Sequence, residues 1–152
     1  RPFLFTIVVF LSLGLAGSAI AEDEVFSTPD GAIRGYDPVA YHTENRPVPG
    51  DRAYTHDWQG ATWLFASAGN RDLFAKDPER YAPQYGGYCA YGTSQGYKVS
   101  TQPEAFSIVG GKLYLNYSLP VQQTWNADRP GYIALADANW AGLRNTPYQE
   151  GD

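Results

Sequence analysis

The chain has 152 residues, 43% of them hydrophobic and 15% aromatic, with 16 acidic against 11 basic side chains and a formal charge of −5. That length is enough for one domain with a sizeable core. The acidic balance argues against a nucleic-acid partner, whose phosphates demand a basic patch. A single cysteine excludes an internal disulfide, so no covalent staple holds the fold.

Residues 1–21, RPFLFTIVVFLSLGLAGSAIA, join one Arg, an apolar run and small residues ending in Ala19-Ile20-Ala21, the pattern of an export signal. The run is short for a spanning helix, which takes about 20 apolar residues, and an uncleaved anchor is the alternative. The expected location is periplasmic or secreted, with no membrane contact beyond this segment. Residues 22–32 read as a polar leader.

From 31 to 50 the spacing of Gly and Pro predicts extended chain and turns, with no helix before residue 66. AYTHDWQGATWLFAS reads as a hairpin around Gln59-Gly60, with Ala61, Trp63 and Phe65 alternating against Thr62 and Leu64 so that one face enters the core. Ser67 caps a short helix ending at Pro78, with Leu73 and Phe74 on its apolar side. EAFSIVGGKLYLNYS is the clearest hairpin, turning at Gly110-Gly111. Ser118 before Pro120, and Asp128 before Pro130, announce two C-terminal helices; Ile133, Ala136 and Trp140 make the packing stripe of the second. The sum is a small single α+β domain of β-hairpins, a short central helix and two C-terminal helices.

The segments YDPVAY, THDWQGATWLFAS and NRDLFAKDPERYAPQYGGYCAY together resemble the YHS domain, a small module proposed to bind metal, copper included. With GKLYLNYS and PGYIALADANW added, the pattern from Ile33 to Trp140 is similar to exported YHS-domain proteins, some of which carry selenocysteine at the place of Cys89. The resemblance implies a YHS-like domain over 33–143 and a flexible tail over 144–152. His56 and Ser67 match the His and Ser positions of the family name. Metal-associated members carry cysteines in DPVCG and FCSxxC contexts, whereas this chain has Ala40, Ala66 and Asn70 there. The resemblance therefore leaves any soft-metal site to be built around Cys89.

Three functions compete for that residue. In the leading reading the chain is a soft-metal-binding protein, since thiolate and imidazole together suit copper or zinc. Cys89 is the anchor, His56 the second ligand and His42 a weaker third; a closed zinc site would also need a carboxylate or water. In the second reading Cys89 is a redox-catalytic thiol, accessible and with a lowered pKa, and its turnover needs a partner thiol protein. In the third the chain is a non-catalytic interaction module.

Backbone N–H groups of Gly86, Gly87 and Tyr88 are expected to shape the site as a nest, with Tyr41 a further candidate. Asp37 is expected to cap the YDPVAY turn. Tyr81, Tyr85, Tyr88, Tyr91 and Tyr97 read as core in preference to a pocket lining. No HExxH, CxxC or GxSxG motif occurs, so an enzyme is not the leading reading.

Overall fold

The computed structural model describes residues 2–3 and 23–148. The export signal read at 1–21 lies outside the described residues apart from Pro2 and Phe3, and so does the end of the tail beyond 148. Residues 23–32, read as a polar leader, are packed into the fold. Val25 and Phe26 are buried, and strands β1 (Ser27–Thr28) and β2 (Gly31–Ala32) pair antiparallel.

Helix α1 (Pro38–Glu44) corrects the expectation of no helix before residue 66. Asp37 accepts from the N–H groups of Val39 and Ala40, and Pro38 fills the first turn. Both are helix-start signals, and here they outweigh the surrounding Gly and Pro.

Strands β3 (Asp51–Trp58) and β4 (Ala61–Phe65) form the first hairpin. Gln59 (φ 50) and Gly60 (φ 72) both lie in the left-handed region, as a two-residue hairpin turn of matching twist requires. Trp63 and Phe65 point into the core and meet Phe74 of α2 (Ala68–Lys76) at ring distances of 5.2 and 5.1 Å. Ser67 caps α2. A short α3 (Pro78–Tyr81) follows, then a tight turn over Gln84–Gly87 and a one-turn helix α4 (Ala90–Ser94).

The second hairpin, β5 (Phe106–Val109) and β6 (Lys112–Leu115), turns at Gly110-Gly111 as expected. Its β6 strand serves two cores, because successive strand residues face opposite sides. Leu113 and Leu115 join Val39, Tyr41, Trp63 and Phe74 in one cluster. Tyr114 joins Tyr85, Trp125 and Ala136 in the other. The second cluster is closed by α5 (Leu119–Asn126) and α6 (Arg129–Leu143), capped by Ser118 and Asp128. Among the described residues, three two-stranded antiparallel sheets and six helices make this an α+β fold.

The described part of the tail is tied down. The Lys98 ammonium donates to the carbonyls of Asp23 (3.0 Å), Arg144 (3.0 Å) and Thr146 (2.7 Å). The N–H of Tyr148 donates to the Asp23 carboxylate at 2.9 Å. Among the described residues no helix is long and apolar enough to cross a membrane.

Candidate functional site

Cys89 stands where α4 meets the end of β6. Glycine freedom upstream brings it there: Tyr85, Gly86 and Gly87 all have positive φ, turning the chain sharply before α4. The cysteine is 1% exposed and caps α4. Its Sγ accepts from the N–H groups of Gly92 (3.4 Å) and Tyr117 (3.3 Å) and donates to Asn116 Oδ1 at 3.4 Å. Burial pushes the thiol pKa up, while the backbone N–H groups of Gly92, Tyr117 and Tyr91 pull it down. The net rise is opposite to the lowered pKa expected of a redox thiol, because desolvation penalises the thiolate more than these weak contacts favour it.

Asn116 is the residue that sequence reading missed. It is fully buried, and its Oδ1 accepts from the Tyr91 N–H at 3.1 Å as well as from the thiol. That backbone donor fixes the amide orientation, since a flip would set N–H against N–H. Asn116 Nδ2 is then a buried donor without a partner. Buried polar groups are nearly always paired, and an exception calls for an explanation. The one available signal was a polar residue ending the apolar run KLYL.

A small cavity of about 150 Å3 opens onto Cys89, walled by Tyr91, Tyr97, Val99, Tyr117 and Val121. The tyrosines of the segment thus divide. Tyr85 and Tyr88 are core, whereas Tyr91 and Tyr97 wall the cavity. The N–H groups aimed at sulfur belong to Gly92 and Tyr117, not to Gly86, Gly87 or Tyr88. Instead the Gly86 carbonyl accepts from the Phe26 N–H (2.9 Å), Gly87 lies against Ile33, and the Tyr88 hydroxyl donates to the Asp23 carbonyl (2.7 Å). Tyr41 belongs to the other core, its hydroxyl on the Pro103 carbonyl at 2.9 Å.

Neither histidine is among the hydrogen-bond partners of Cys89 or the walls of its cavity. His56 lies on the half-buried face of β3 with its ring 6.1 Å from Phe74. His42, on α1, contacts the Tyr81 carbonyl through Nε2 at 3.1 Å. Burial lowers the His42 pKa below its ordinary 6.5, with the Tyr81 bond opposing. Between 6.5 and that lowered value the unfolded chain binds the proton and the folded chain does not, so stability falls as pH drops through this window. His42→Gln is expected to flatten that part of the stability curve, measured by urea unfolding across pH 4.5–8.

The three positions where the resemblance implied cysteines, Ala40, Ala66 and Asn70, do converge, but on a carboxylate. Asp37 Oδ1 accepts from the Ala40 N–H (3.2 Å), and Oδ2 accepts from the Ala66 N–H (2.9 Å) and Asn70 Nδ2 (2.8 Å). An alanine methyl offers no ligand, and the Asn70 amide is spent on Asp37. Among the described residues no three His, Cys, Asp or Glu side chains gather to hold an ion.

Residues 39–85 match the family model of the YHS domain. No curated protein and no solved structure matches the chain. The matched span holds His42, His56 and the three positions around Asp37, and it ends before Cys89. YHS domains are associated with metal binding in general, and the donor set gathered here does not fit a closed metal centre.

Proposed function

From the premise that the chain carries a YHS domain at residues 39–85, we propose that it works as an exported thiol-redox protein through Cys89. The observation that carries this reading is the buried Asn116 amide: its oxygen is bonded to the thiol, and its Nδ2 has no partner. A cysteine serving as core filler needs only apolar neighbours. Here three polar groups meet the sulfur beside a cavity, and the amide that accepts from the thiol keeps a buried donor without a partner.

The substrate class is a small uncharged hydroperoxide. The sulfur attacks the terminal peroxide oxygen; an S–O bond forms as the O–O bond breaks. Sulfur is oxidised to the sulfenic acid, and the thiol proton leaves with the departing oxygen as water or alcohol. Because the chain has one cysteine, an external thiol must condense with the sulfenic acid, releasing water, and a second thiol must then reduce the mixed disulfide. The apolar cavity favours neutral, compact reagents over charged ones, and the raised thiol pKa, by lowering the thiolate fraction, makes the step slow at neutral pH.

The test is dimedone trapping of Cys89 after hydrogen peroxide treatment, read by mass spectrometry. The adduct is expected in the wild type and absent in Cys89→Ser. It is expected to form about tenfold more slowly in Asn116→Asp, whose added negative charge disfavours the thiolate. No adduct would overturn the reading. So would stoichiometric Cu(I) or Zn(II) binding lost in both Cys89→Ser and His56→Ala, which would establish a Cys–His metal site with His42 as the next ligand to examine. A second expected result concerns alkylation by iodoacetamide: its rate should keep rising with pH beyond 9.0, the ordinary value of the thiol. A plateau near neutrality would contradict the burial argument.

A further inference from the structure

A second cavity lies apart from the one at Cys89. It is an open groove of about 490 Å3, within the range of small-molecule sites. The β3–β4 turn supplies Trp58 and Gln59 to its lining, α6 supplies Asp137 and Trp140, and the tight turn before α4 supplies Gln84. None of these residues lines the cysteine cavity.

Much of the polar capacity around this groove is unspent. The side-chain amides of Gln59 and Gln84 and the indole N–H groups of Trp58 and Trp140 have no hydrogen-bond partner among the described residues, nor do Glu79 and Lys112 at the rim. Asp137 accepts from the Tyr85 hydroxyl at 2.8 Å, which holds one oxygen and leaves the other. Exposed side chains on an ordinary surface also go unpaired, but here amides, carboxylates and two half-buried tryptophans converge on one concavity.

The charges select the ligand class. A cation drawn by Glu79 and Asp137 would meet Lys112 and Arg144, also in the lining, the latter already 3.5 Å from the Glu24 carboxylate. An anion drawn by those two would meet the carboxylates. A neutral ligand with a C–H face and a hydroxyl rim uses both signs. Its hydroxyls donate to carboxylates and accept from ammonium, amide and indole N–H groups, while the Lys98 ammonium already lies 5.6 Å over the Trp140 ring. We propose that the groove is a binding site for a neutral saccharide ring, independent of the thiol.

The experiment is an NMR titration of the full chain with cellobiose, maltose and N,N′-diacetylchitobiose, each beside tetramethylammonium and inorganic phosphate as charged probes. A saturable shift of the Trp58 and Trp140 indole N–H resonances is expected with at least one saccharide and with neither charged probe. The double variant Gln59→Ala/Gln84→Ala removes groups without internal partners, so the fold persists. It is expected to weaken binding about tenfold, the loss of hydrogen bonds worth about 1.4 kcal/mol in total. Cys89→Ser is expected to bind as the wild type does, which separates this site from the redox reading. No saturable shift with any saccharide, tighter binding of a charged probe at the same indoles, or unchanged affinity in the double variant would each overturn the proposal.

Discussion

Replacing Asp37 by Ala is expected to destabilise the fold by about 4 kcal/mol, a fall of roughly 15 °C in Tm for a domain of this size. The carboxylate is fully buried and accepts four bonds: from Val39 N–H (2.8 Å), Ala40 N–H, Ala66 N–H and Asn70 Nδ2. Two of these cap α1, and the other two reach the junction of β4 with α2. Alanine removes the cap and also leaves all four donors without their acceptor, two of them fully buried. The cost of orphaned donors is what lifts this above an ordinary cap deletion of about 1 kcal/mol. Asp37→Asn gives the control. Its oxygen still serves one pair of donors, but its NH2 confronts the other pair, so an intermediate loss of about 2 kcal/mol is expected. Thermal and urea unfolding of the three proteins would decide, and an Asp37→Ala variant as stable as the wild type would refute the network.

Gly86→Ala is expected to cost at least about 3 kcal/mol, for a reason unrelated to charge. Gly86 has φ +63, and an added Cβ would lie 1.9 Å from the backbone oxygen of Glu24. Backbone cannot rotate aside as a side chain can. Relief requires moving the 24–26 segment and breaking the bond from the Phe26 N–H to the Gly86 carbonyl. Gly110→Ala separates crowding from conformation: φ is +58 there, but nothing lies within 4 Å of the added carbon. Left-handed strain alone costs about 1–2 kcal/mol. Equal losses at the two positions would show that conformation, not contact, sets the cost.

The elements that sequence reading found are those whose signals are local. Both hairpin turns depend on positive φ at adjacent residues, which Gln59-Gly60 and Gly110-Gly111 provide. Ser67, Ser118 and Asp128 cap the helices they precede. Helix α1 is masked in the sequence by the Gly and Pro around it, which punctuate turns, although Asp37-Pro38 is itself a start signal. Helix α4 escaped because it spans only five residues and is capped by a cysteine, which is not among the preferred capping residues.

The site was half legible. A lone thiol beside glycines marked Cys89, but its partners Asn116 and Tyr117 stand 27 and 28 residues downstream and arrive only because the β5–β6 hairpin folds back. The same distance problem hid the Asp37 network, whose second half lies 29 and 33 residues away. The raised thiol pKa was also beyond reach, since it comes from burial by residues spread across the chain.

The fastening of residue 23 to residues 144–148 governs orientation as well as stability. Asp23 and Tyr148 are one hydrogen bond apart, and Glu24 and Arg144, next to them, line the saccharide groove. A leash attached at either end would therefore leave from the groove's own edge. A leash grafted at the Gly110-Gly111 turn would leave from another part of the rim, beside Lys112. Attachment point thus becomes a handle on what the groove can reach.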